Sequence, residues 1–245
     1  MILAIETATD VCGAALVDNG KVIAQRAIDE KFIHSEKLLP MIDEVLREGS
    51  ITAKRLDSIA VSIGPGSFTG LRIGLSTAKG LALSLGISLI VVPTLDALAN
   101  AFFRSQKKIS ANFVCPMIDA KRDEAFFCLY RIDNTGVHRE SEYAIALKSK
   151  IFELAPASAI FVGDGAEKKS APRQGVMREF EPSIVCSAES VGLLAESAGV
   201  KLSQEELSTL EPLYLREFVA TQPGVNRVMQ PHRTSSAKEV TVRRA

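Results

Sequence analysis

The hydrophobic pattern of residues 2–103 runs strand, strand, strand, helix, strand, helix, strand, helix, and this order restricts the fold more than any other feature of the chain. Ile2 to Glu6, Val11 to Val17 and Lys21 to Ile28 read as strands. Asn19-Gly20 supplies the positive φ angles of a tight turn, so the second and third strands are expected as antiparallel neighbours. From His34 to Glu48 the period becomes helical, with Leu38, Ile42 and Val45 on one face and Gly49 as a stop signal. If Ser35 caps this helix, Pro40 lies a turn inside it and removes a ladder donor, which predicts a bend or a later start. Leu56 to Ile63 is the next strand. Gly64-Pro65-Gly66-Ser67-Phe68-Thr69-Gly70 then leads into a helix from Thr69 to Leu85, and a buried strand at Ser88 to Val92 precedes a helix from Thr94 to Phe103. Such an order calls for a mixed sheet with helices packed on its faces, an α/β fold.

With 245 residues, 47% of them hydrophobic, the chain exceeds the usual size of one domain, and two lobes are expected. The division predicted is a first lobe over 1–108, a second over 109–216 and a basic tail over 217–245. Strands are expected in the second lobe at Asn112 to Ile118, Ala125 to Arg131, near Tyr143 and at Ala159 to Val162, with a helix from Ser190 to Ala198 closing it. The Pro, Ser, Thr and basic composition of the tail buries too little apolar surface to offset ordering entropy, so it reads as disordered.

Basic and acidic residues balance at 29 each, so the whole chain carries no field that would attract a nucleic acid or an anionic membrane. Within 221–245, however, Arg227, Arg233, Lys238, Arg243 and Arg244 face only Glu239, a local +4 that leaves the rest at −4. Cys12, Cys115, Cys128 and Cys186 form no C-x-x-C pair and read as reduced core thiols. Glu6 and Asp10 arrive too early for a secretory signal, and Arg72, Lys79, Pro93 and Asp96 interrupt the apolar stretch short of the roughly 20 residues of a membrane span. A cytoplasmic protein is expected.

Few residues offer chemistry. His34, His138 and His232 are too far apart in sequence for a helical metal pair, so no metal site is expected, and His34 reads as a helix-entry residue. The turn Glu6 to Asp10 and the start of the helix after Gly64 could each present backbone amides to an anion, which makes Thr7, Thr9, Gly64 and Gly66 the candidates for nucleotide contact. The alternative is a plain tight turn followed by a Ser67 or Thr69 cap. Asp119 to Glu124 reads as a solvated hairpin loop, with a partner or nucleic-acid contact as the other possibility. In the helix Thr69 to Leu85, Gly70, Gly74, Ala78 and Ala82 recur every four residues, so one face admits a close backbone neighbour: the second lobe, the first helix or a partner chain.

The strings Ile2-Leu3-Ala4-Ile5-Glu6-Thr7-Ala8-Thr9-Asp10, His34-Ser35-Glu36-x-Leu38-Leu39-Pro40 and Gly64 through Leu75 resemble the TsaB (YeaZ) family. So do Pro93-Thr94-Leu95, Asp119-Ala120-Lys121-Arg122-x-Glu124, Gly163-Asp164-Gly165 and Pro212-x-Tyr214-Leu215-Arg216. The resemblance implies an actin-like, sugar-kinase-type fold in two lobes with the second reduced. It implies a non-catalytic subunit, without catalytic residues or a cofactor of its own, that pairs with TsaD, works with the ATPase TsaE and enables threonylcarbamoyl transfer to adenosine 37 of tRNA. In TsaD two metal-binding histidines stand where this chain has Thr94 and Leu98. The first two helices of the lobe are implied as the contact with TsaD, or with a second copy when TsaD is absent, which assigns Leu38, Ile42, Val45, Gly70, Leu71, Gly74, Leu75, Ala78 and Ala82 to the interface. An actin-fold ATPase or phosphotransferase is the other reading.

Overall fold

A computed structural model of the chain describes residues 1–30, 33–106, 112–167 and 178–216. The expected disordered tail lies outside the described residues. A six-stranded mixed sheet is built from β1 (Ile2–Glu6), β2 (Val11–Asp18), β3 (Lys21–Asp29), β4 (Ser58–Ser62), β5 (Ser88–Val92) and β13 (Val200–Leu202), in the order β13-β5-β4-β1-β2-β3. Asn19 and Gly20 both take positive φ and close the β2–β3 hairpin. β1, β4 and β5 run parallel, and β1 is antiparallel to β2.

On one face of this sheet lie α1 (His34–Glu48) and α2 (Phe68–Leu85), closing a core that includes Leu3, Ile5, Leu16, Val45, Ile59 and Leu75. α1 begins before the expected Ser35 cap, with Ile33 as its boundary, and contains Pro40. Ser67 caps α2 by accepting from the Gly70 amide, and Gly86 ends it at φ 68°, a conformation that favours glycine.

The second sheet has seven strands: β6 (Phe113–Asp119), β7 (Glu124–Phe127), β8 (Tyr130–Asp133), β9 (Gly136–Arg139), β10 (Ala144–Leu147), β11 (Ala159–Val162) and β12 (Glu179–Glu181). The single strand expected over Ala125 to Arg131 is two. The ladder breaks at Cys128 and Leu129, where the Leu129 amide donates to Ser141 Oγ at 3.0 Å, so β7 and β8 pair with successive halves of β6. α4 (Lys148–Leu154) covers the far face through Ile151 and Phe152, which pack with Phe161.

α3 (Thr94–Ser105) sits between the sheets, giving Ala97 to a cluster with Ile2, Ala4 and Ile90 on the other face of the first sheet, and Leu95, Leu98, Ala99 and Phe102 to the core of the second. The helix expected to close the second lobe does not stay there. α5 (Ala188–Ala198), capped reciprocally by Ser187 and Ser190, packs Val191 and Ala195 against Ile2, Ala4 and Ile90 of the first sheet, and β13 joins that sheet beside β5. Of the segment expected as the second lobe, α5 and β13 thus belong with the first sheet, because α5 covers the face that α1 and α2 leave open. Mixed sheets flanked by helices in this arrangement form an α/β, actin-like fold. None of the described helices is long and apolar enough to cross a membrane.

Candidate functional site

A cavity of about 720 Å³ opens between the two sheets, within the usual range for small-ligand clefts. Segments far apart in sequence line it: Thr9 and Asp10 after β1, His34 and Ser35 at the start of α1, Gly66 to Gly70 before and within α2, Asp119 to Arg122 after β6, Asp164 after β11, and Leu213 to Arg216. The sequence strings that stood out therefore converge on one place.

At its base the β1–β2 turn is closed by its own carboxylate. Glu6 is fully buried, and its Oε1 accepts from the amides of Ala8 at 2.8 Å and Thr9 at 3.2 Å, while the Cys186 thiol donates to Oε2 at 3.3 Å. Burial raises the Glu6 carboxyl above its ordinary value, and these hydrogen bonds only partly oppose that. α2 then presses on the turn. A Cβ added at Gly66 would lie 2.1 Å from the Ala8 carbonyl oxygen, and one at Gly70 would lie 2.0 Å from that of Thr7. The Ala8 and Thr9 amides are thus committed to Glu6 within the protein.

Of the four candidate nucleotide residues, Thr9 and Gly66 line the cavity. Thr7 is buried behind it, donating to the Gly70 carbonyl at 2.8 Å. Gly64 is clamped by Thr94, whose hydroxyl accepts from the Gly64 amide at 3.1 Å and whose amide donates to the Gly64 carbonyl at 2.9 Å. Thr94 is thus a structural brace, and Leu98 belongs to the second core. His34 Nε2 donates to the Thr9 carbonyl at 3.1 Å, tying α1 to the turn as a helix-entry residue would.

Across the cavity, burial alone would raise Asp119, but Lys121 at 2.8 Å and Lys148 at 3.0 Å outweigh it and hold the carboxyl below its usual value. Asp164 accepts from the Asp119 amide at 3.1 Å. Surrounding protein and then the charges of Asp119 and Asp10 raise its carboxyl, although its side chain is open to the cleft, where solvent tempers the shift. Phe68, Asp164, Tyr214 and Arg216 carried no assigned role in the sequence; their strings were the available signal. Among the described residues no cluster of three His, Cys, Asp or Glu side chains converges to hold a metal ion.

The Glu6 geometry makes a prediction. Its neutral form is favoured in the fold, so the parent has its full stability below the unfolded value near 4.5 and loses part of it as pH rises through the raised folded value. Glu6→Gln keeps an oxygen for the two amides and removes the charge. In urea melts the variant is expected to match the parent near pH 4 and to exceed it by about 1 kcal/mol or more at pH 8; a parent more stable at pH 8 would contradict this.

The interface residues read from the sequence are not on the surface. Leu38, Ile42, Val45, Gly70, Leu71, Gly74, Leu75, Ala78 and Ala82 are all buried within the chain. The reason is the close approach of α2 to the turn: a Cβ on Gly74 would lie 2.1 Å from Thr7 Oγ1, and Ala78 and Ala82 continue into the first core. The outward face of α2 carries a different small stripe, Ser76, Gly80 and Ser84, flanked by Leu83 at 53% exposure, while Leu39 on α1 is 58% exposed.

Residues 23–218 match the family model described as TsaD: tRNA N6-adenosine threonylcarbamoyltransferase. The tRNA threonylcarbamoyladenosine biosynthesis protein TsaB of Escherichia coli is 31% identical over 89% of this chain and 96% of its own length. The protein of that name from Haemophilus influenzae is 29% identical over 89% and 94%. Among solved structures, YeaZ from Pseudomonas aeruginosa superposes with a TM-score of 0.72 at 27% identity, covering 87% of this chain and 99% of that one.

Proposed function

Because the chain belongs to the TsaB (YeaZ) family of tRNA threonylcarbamoyladenosine biosynthesis proteins, we propose that it is the non-catalytic scaffold that binds TsaD and enables threonylcarbamoyl transfer to adenosine 37 of tRNA. TsaE joins the larger complex, tRNA is met through TsaD, and the setting is the cytoplasm. The observation that carries the docking surface is Gly80. An interior glycine costs a helix about 1 kcal/mol relative to alanine. At Gly70 and Gly74 the neighbouring turn accounts for that cost, but a Cβ at Gly80 would meet nothing within 4 Å. A backbone from outside the chain, approaching between Ser76 and Ser84, accounts for it. Leu83, three residues on along the helix, adds exposed apolar area, as does Leu39 on α1, and interface cores require such area.

The commitment of the Ala8 and Thr9 amides to Glu6 supports a non-catalytic role over an ATPase or phosphotransferase. Without TsaD the same outer face pairs two copies. Mixed with TsaD, the chain is expected to elute as a one-to-one complex at the expense of its own dimer; separate elution at micromolar concentrations would count against the reading.

A further inference from the structure

The string Pro212-x-Tyr214-Leu215-Arg216 has no part in the proposed docking face, yet it spans the two lobes. Its first-lobe end is held at several points. The Leu213 amide donates to the Ile63 carbonyl at 2.7 Å, Lys79 Nζ donates to the Leu210 carbonyl at 2.6 Å, and Arg72 Nε donates to the Tyr214 hydroxyl at 3.0 Å. The Tyr214 ring lies 5.1 Å from that of Phe68, whose face is covered by the Arg72 guanidinium at 3.8 Å. A Cβ on Gly64 would lie 2.7 Å from the Leu213 carbonyl oxygen, so only glycine lets the segment seat there. At the other end Leu215 rests on the second core, and Arg216 reaches the hairpin after β6, donating to the Ala120 carbonyl at 3.1 Å and pairing with Glu124.

The two sheets are also joined through α3, where Asp96 accepts from the hydroxyls of Tyr130 at 2.5 Å and Tyr143 at 2.8 Å. No residue of α3 lines the cavity, whereas Leu213 to Arg216 do. The lobes thus share a packed helix away from the cleft and an irregular segment across it.

We propose that residues 210–216 are a strap that holds the lobes closed over the cleft and releases at its Arg216 end. That end is the weaker because its ion pair is open to solvent, with Arg216 and Glu124 39% and 31% exposed, and is therefore screened by salt. The Tyr214 end combines a main-chain bond, ring contact and two cations, and stays attached to α2 when the lobes part.

The test uses the full chain with spin labels at Lys37→Cys on α1 and Ser149→Cys on α4, both exposed positions, the native cysteines being buried. In low salt the labelled parent, diluted into an excess of unlabelled chain so that only distances within one copy are read, should give one narrow distance distribution. Arg216→Ala should lengthen and broaden it by several ångströms, as should about 1 M salt in the parent, while salt adds nothing in Arg216→Ala. Identical distributions for parent and Arg216→Ala would overturn the strap, as would equal salt responses in both. Loss of the cooperative melt in Arg216→Ala would also overturn it, by making Arg216 part of the fold and not a releasable end.

Discussion

Gly74→Arg is expected to leave no cooperatively folded protein. The added Cβ alone would sit 2.1 Å from Thr7 Oγ1, and Thr7 cannot yield, since it is fully buried and its hydroxyl is bonded to the Gly70 carbonyl. The remaining side chain would place a guanidinium in the core between α2 and the β1–β2 turn. Overpacking costs typically about 1–3 kcal/mol, and an unpaired buried charge adds several more. Against a total stability of about 5–15 kcal/mol, the sum reaches the unfolding threshold. Circular dichroism melts decide the point. A cooperative melt with only partner binding lost would restore Gly74 to the surface and overturn the packing described for α2.

Gly80→Arg, six residues further along the same helix, should do the opposite. With open space around its Cα, an arginine there costs the isolated chain nothing in packing and improves helix propensity by up to about 1 kcal/mol. Its melting midpoint should equal or exceed the parent's. At an interface that needs close backbone approach, the long cation either opens the gap or is buried unpaired, and TsaD affinity should fall at least ~100-fold, about 2.7 kcal/mol. Unchanged affinity in a folded Gly80→Arg variant would remove the outer face of α2 from the docking surface.

The contrast between these glycines marks how far the sequence carried. Periodicity located α2 and its small stripe, but a repeat of four says only that a face is smooth, not what lies on it. The covering element, Thr7, is 63 residues earlier, and only the sheet brings it there. The first sheet was readable because each of its early strands and helices has a clear local period. α4 has seven residues, too few for a period, and β13 has three. The return of α5 and β13 to the first sheet rests on packing against Ile2 and Ala4 and on pairing with β5, contacts far apart in sequence that leave no local mark. The candidate site was half legible. The strings around Thr9, Gly66, Asp119, Asp164 and Tyr214 drew notice, yet their convergence on one cleft, and the commitment of the Ala8 and Thr9 amides to Glu6, depend on tertiary geometry.

The central claim is that this chain contributes positioning and no chemistry. The most direct measurement is reconstitution of tRNA threonylcarbamoylation from TsaD, TsaE and the threonylcarbamoyl-AMP-forming enzyme, with and without the chain. The account predicts modified adenosine 37 only when both this chain and TsaD are present, none with Gly80→Arg in place of the parent, and parent-like yield with Glu6→Gln. Full modification without the chain, or modification by the chain in the absence of TsaD, would contradict it.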